Sequence, residues 1–114
     1  MKTEVNIQAE NLHGWIINNK TYTVLSVEKY SSQQIGFRIE SEDRGQPVLL
    51  PAILFNIIDH SLPRCWKVLE VRENSLDLGP AVFAEAEFWE KCFDQEVDAL
   101  SKYREAKNQV EQES

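Results

Sequence analysis

The stretch LDLGPAVFAEAEFWEKCFDQEVDAL, residues 76–100, decides the fold, because the apolar period changes within it. Before Gly79-Pro80 the chain consists of short runs with a period of two, bounded by turn residues, as strands require. After Pro80, Ala84–Phe93 and Gln95–Gln109 contain no glycine or proline and are rich in Glu, Ala, Lys and Gln, which favour helix. Phe93, Val97, Leu100 and Tyr103 fall at helical spacing and predict one apolar stripe among charges. Asp94 is placed to cap the second helix, and Glu96 and Asp98 in its first turn suit the helix dipole.

Working back toward the N-terminus, Trp66–Arg72 alternates, Glu73-Asn74 reads as a tight turn and Ser75–Leu78 as a short last strand. Ile35, Phe37 and Ile39 alternate with Arg38 and Glu40, so the first three should point inward and the charged pair outward. Ser41–Gly45 is a polar turn in which Gly45 fits a left-handed position. Pro47 opens the next strand and, lacking an N–H, belongs at its first residue or on an edge. Pro51–Asp59 is apolar without a clear period, and an extended piece over Phe55–Ile58 is favoured. Thr21–Lys29 is rich in β-branched and aromatic residues with few charges early on, so both of its faces are expected to be covered. Ahead of it stand a short apolar run, Trp15–Ile17, and a turn at Asn18–Lys20.

The fold class is therefore α+β: an antiparallel β-sheet of about five or six strands with C-terminal helices packed on one face. The 114 residues form one domain, ordered over about residues 12–109, with a polar tail from about residue 110 expected to fray.

The charge is lopsided. Residues 85–114 hold nine acidic side chains against four basic ones, while the whole chain carries a formal net charge of −7. That sign makes nucleic acid and anionic membrane poor partners and favours a cationic protein. The start, MKTEVNIQAENLHGW, lacks an apolar run and a cleavage site, and no stretch is long enough to span a bilayer, so a cytoplasmic location is expected. Cys65 and Cys92 read as free buried thiols.

Signals for chemistry are weak. His60 and Cys65 are five residues apart, in no known nucleophile–base spacing, and a turn histidine beside a core cysteine is the plainer reading. His13, His60, Cys65 and Cys92 are scattered singletons without the paired spacing of zinc ligands. The four glycines are isolated, which argues against a phosphate loop. No catalytic, metal or cofactor residue is assigned. Trp66 and Trp89 read as core anchors between sheet and helices, and Trp15 as the most exposed of the three tryptophans.

A pattern carried by several residues resembles a known group. A Pro-x-x-Trp entry into a strand (Pro63, Trp66) leads to a short strand ending at Pro80. A Phe-Trp-Glu helix (Phe88, Trp89, Glu90), closed by Phe93-Asp94, follows. Over about residues 12–100 this resembles small acidic bacterial immunity proteins of contact-dependent or polymorphic toxin systems. The resemblance implies stoichiometric neutralisation of a cognate basic toxin domain, such as a nuclease, without catalysis. On that reading the partner-binding carboxylates are Glu42 and Asp43 at the hairpin tip and Glu85, Glu87, Glu90 and Asp94 on the helical segment. The alternative is a small cytoplasmic adaptor or regulatory protein with no toxin partner.

Overall fold

The computed structural model describes residues 1–6, 16–17, 20–42 and 45–114. Trp15, the Asn18-Asn19 turn, His13 and Asp43 lie outside the described residues. The fold is α+β, with eight strands among the described residues arranged in two antiparallel sheets. Strands β1 (Lys2–Val5), β2 (Thr21–Thr23) and β6 (Phe55–Asp59) form a three-stranded sheet in the order β2-β1-β6. Strands β3 (Ser26–Ser31), β4 (Gln34–Glu40), β5 (Pro47–Pro51), β7 (Trp66–Val71) and β8 (Leu76–Pro80) form a five-stranded sheet in the order β5-β4-β3-β8-β7. A 3-10 turn at Ala81–Ala84 leads into helices α1 (Phe88–Phe93) and α2 (Val97–Gln112).

The layers follow from which core each residue joins. Val5, Tyr22 and Phe55 from the small sheet meet Phe37, Ile39 and Leu50 from the large one, so the two sheets share a core between them. On the other face of the large sheet, Leu25 and Leu69 meet Phe83, Phe88, Tyr103 and Val110. The large sheet is thus covered on both faces, by strands on one side and helices on the other.

The run Thr21–Lys29 is not one strand. It breaks at Val24-Leu25, where the chain passes from the small sheet to the large one. Val24 enters the core between the sheets, while Leu25 enters the core under the helices. Their amides leave the regular ladders as well, Val24 donating to the Met1 carbonyl at 3.0 Å and Leu25 to the Arg38 carbonyl at 2.7 Å. The N-terminal strand β1, absent from the sequence reading, is the middle strand of the small sheet, with Thr3 fully buried. Four residues are too few for periodicity to declare a strand, and β1 exists because β2 and β6 flank it.

Two elements match the sequence reading closely. Gly45 takes φ 60° in the hairpin turn, where its amide bonds to the Ser41 carbonyl. Pro47 is the first residue of β5, itself an edge strand.

The expected outward position of Arg38 is corrected. Arg38 is only 8% exposed, because helices cover the face that alternation assigned to solvent. Its Nε and Nη2 donate to the two carboxylate oxygens of Glu28 at 2.7 and 3.1 Å, and its guanidinium lies 4.0 Å from the centre of the Trp89 ring. Ser26 donates to the same Glu28 carboxylate at 2.6 Å. Ile35, expected inward, is 43% exposed near the end of the β3–β4 hairpin.

The polar tail expected from about residue 110 begins inside a helix. Helix α2 continues to Gln112, and Val110 is fully buried. The Glu113 carboxylate accepts the Cys65 amide at 2.7 Å, and the Ser114 hydroxyl lies 3.3 Å from the Met1 amino group.

A nearly buried ion pair is sensitive to losing one partner, which strands the other charge in the interior. Arg38→Met and Glu28→Met should each cost about 3–5 kcal/mol, whereas the two combined should cost clearly less than the sum. Urea unfolding of the four proteins measures this. Strict additivity would show that the two side chains are independent.

Candidate functional site at the helix corner

The acidic residues of the helical segment are in two different conditions. Glu85 is engaged by Lys102 at 3.1 Å, and Glu111 faces Lys107 at 3.9 Å one turn away. By contrast, Glu87, Glu90, Asp94, Glu96 and Asp98 are all exposed and make no ion pair among the described residues. These five lie along α1 and its junction with α2, from Glu87 at the start of α1 to Asp98 in the first turn of α2, with Lys91 the single cation in that stretch.

Two apolar side chains stand among them. Phe93 is 51% exposed and Val97 80%, so the stripe expected from Phe93 to Tyr103 is only half realised. The buried face of α2 is Ala99, Tyr103, Ala106 and Val110. That face packs on Phe83, Phe88 and Leu25, and the turn between the helices aims Phe93 and Val97 away from it.

The corner also departs from local backbone preference. Asp94 does not cap α2. It is the C-cap of α1, and Gln95 follows at φ 62°. The Gln95 amide bonds to the Cys92 carbonyl at 3.1 Å and the Glu96 amide to the Lys91 carbonyl at 3.0 Å, the two bonds of a Schellman motif. Glycine is the usual occupant of that left-handed position. Glu96 is the N-cap of α2 and provides no side-chain bond. At the other end of α1, Glu87 is likewise left-handed, at φ 58°. Both non-glycine residues with positive φ among the described residues therefore flank this one short helix. Such local departures concentrate where a surface is shaped for something other than stability.

Beside the corner lies a groove of about 380 Å³ between α2 and the β4–β5 hairpin. Phe93 and Gln95 line one side, Gly45, Gln46 and Pro47 the other, and Leu100 and Tyr103 contribute between them. The groove brings the hairpin next to the helix corner, while Glu85 lines a separate cleft with Lys102 and Cys65. The second acidic site inferred from the sequence is tied down in part. Glu42 accepts the Tyr22 hydroxyl at 3.0 Å and pairs with Lys20, which holds its carboxyl below the usual carboxylate range.

No protein-family model, curated protein or solved structure matches this chain.

The Cys65 thiol lies in the cleft of about 610 Å³ that Glu85 shares. Burial, and then the Glu113 carboxylate, push it up to about 11, opposite to the shift that makes a thiol a nucleophile. His60 is exposed at the end of β6. Among the described residues, no three His, Cys, Asp or Glu side chains are gathered to hold a metal.

Gln95→Gly should raise the unfolding free energy by about 0.5–1 kcal/mol, since glycine removes the left-handed penalty. A denaturation curve decides; a fall in stability would mean that the Gln95 side chain holds the corner by contact.

Burial also pushes the Tyr22 hydroxyl up to about 12. Both groups are protonated more firmly in the fold than in the unfolded chain, so their contribution is fully present below the unfolded values. For Cys65 it should be lost as pH rises from about 9 to about 11, and for Tyr22 from about 10 to about 12. Stability measured against pH should therefore fall across this alkaline window, less steeply in Tyr22→Phe. An identical slope in that variant would remove Tyr22 from the account.

Proposed function

We propose that this chain is a non-catalytic binding protein that engages a cationic protein domain through the α1–α2 corner, as an immunity protein engages its cognate basic toxin. One observation carries the reading: the segment 87–98 carries the half-exposed Phe93 ring together with five exposed carboxylates that make no ion pair among the described residues. An aromatic anchor with a charged rim is the arrangement that concentrates binding energy and steers an oppositely charged partner. The groove beside Phe93 offers a place for a partner side chain, and neither Glu85 nor Glu42 is as free to contribute. Cellular neutralisation of such a toxin places the protein in the cytoplasm. Among the described residues no helix is long and apolar enough to cross a membrane.

The test uses the C-terminal domain encoded by the neighbouring reading frame, with binding kinetics recorded at low and physiological salt. The on-rate should fall about tenfold or more over that range, because screening cuts steering to about 8 Å. Glu87→Lys/Glu90→Lys/Asp94→Lys should slow association further, and Phe93→Ala should speed dissociation. Rates indifferent to salt and to the triple reversal would overturn the reading.

A further inference from the structure

The groove between α2 and the β4–β5 hairpin differs in sign from the acidic corner beside it. Two cations, Arg104 and Lys107, line it against one carboxylate, Glu40, which leaves one positive charge over. Glu40 is already answered, since Lys107 pairs with it and the Tyr103 hydroxyl lies 3.5 Å away. Arg104 is exposed and makes no ion pair among the described residues.

The sequence of α2 explains why this guanidinium stays unanswered. Helical neighbours stand three and four residues away, and for Arg104 these are Leu100, Ser101, Lys107 and Asn108, none of them acidic. The other two cations of α2 do have partners, Lys102 meeting Glu85 and Lys107 meeting Glu40 and Glu111. The side-chain amides of Gln46, Gln95 and Asn108 add further donors to the same groove. A donor-rich groove with a free guanidinium therefore opens beside Phe93, on a segment whose other charges attract cations.

We propose that Arg104 sets the specificity of this surface, the groove receiving one Asp or Glu side chain that the cationic partner carries within its contact face. This rests on the reading of the α1–α2 corner as the partner-binding surface, and it narrows the partner's chemistry. A guanidinium presents a planar fork of donors that fits a carboxylate with two parallel bonds. A cationic domain with no acidic residue at that point would set its own positive charge against Arg104 and leave the guanidinium unpaired in the contact, which weakens binding. The five carboxylates then draw in cationic domains in general, and Arg104 selects among them.

Arg104→Glu separates this selection from steering, because the two predict opposite signs. The substitution makes the chain more acidic, so steering alone gives faster association with the neighbouring frame's domain and a tighter complex. With a carboxylate in the groove, dissociation should instead accelerate enough to raise the dissociation constant about tenfold or more, and Arg104→Gln should shift it less in the same direction. An Arg104→Glu complex as tight as the parent's, or tighter, would overturn the proposal while leaving the salt dependence and the Glu87/Glu90/Asp94 reversal, and so the binding reading itself, intact. Nuclear magnetic resonance of the free chain gives a second readout that needs no partner. Benzoate, titrated against chloride at equal ionic strength, should shift the Arg104 Nε–H signal and the Gln46 and Gln95 amides, and Arg104→Gln should abolish the amide shifts. Arg64 is also exposed and without an ion pair but lies outside the groove. Equal shifts at the two arginines would also overturn the proposal.

Discussion

The fold turns on the Arg38 guanidinium, held between the Glu28 carboxylate and the face of Trp89. An arginine in the middle of the large sheet is costly to bury unless its charge and its donors are answered there. Glu28 on the adjacent strand answers the charge through a bidentate contact, and Ser26 completes the polar patch. What remains is a flat cationic surface facing the helical layer, which an aromatic ring covers better than an aliphatic side chain. Trp89 supplies it, and Phe83, Phe88 and Tyr103 pack around Trp89 at centroid distances of 4.6, 5.0 and 6.2 Å. An acidic segment thereby acquires a fixed seat on the sheet.

That seat explains the exposed residues of the corner. With α1 anchored by Phe88, Trp89 and Cys92, the side chain of Phe93 points away from the sheet. Helix α2 then packs through Ala99, Tyr103, Ala106 and Val110, whose small residues let it approach closely. Its second row, Lys102 and Glu105, faces the cleft that holds Cys65. The charge surplus of residues 85–114 is consequently not uniform. Glu85 and Glu111 meet lysines and Glu113 holds the Cys65 amide, so the unanswered charge gathers at the junction between the helices.

Much of this was legible in the sequence, and the failures have physical causes. The change of period at Pro80, the hairpin at Gly45, the strand opened by Pro47 and the extended Phe55–Ile58 were all readable, because turn chemistry and periodicity act locally. The small sheet was not, since β1 and β2 have four and three residues and depend on distant pairing. Arg38 was assigned outward because alternation presumes one wet face, and this sheet is covered on both. Glu87, Glu90 and Asp94 were legible as an acidic face. Their company with exposed Phe93 and Val97 was not, because helical spacing marks an apolar stripe without telling which end of it leaves the core. The register shift between Val68 and Glu70 in β7 was equally hidden, since nothing in WKVLEV announces it.

The backbone at the corner gives the exposed aromatic a further property. A left-handed glutamine costs about 1 kcal/mol more than glycine would there, and a left-handed glutamate repeats that cost at the start of α1. Neither is relieved by a side-chain cap. Stability alone would favour glycine at both positions, but glycine would also widen the conformations open to the turn. With Gln95 in place, the two Schellman bonds hold a chain that has few alternatives, so the turn that carries Phe93 is ordered in the free protein. A surface ordered in advance loses less entropy on binding, and association then spends more of its contact energy as affinity. On the proposed reading, local strain and partner recognition share one origin, the left-handed backbone on either side of α1.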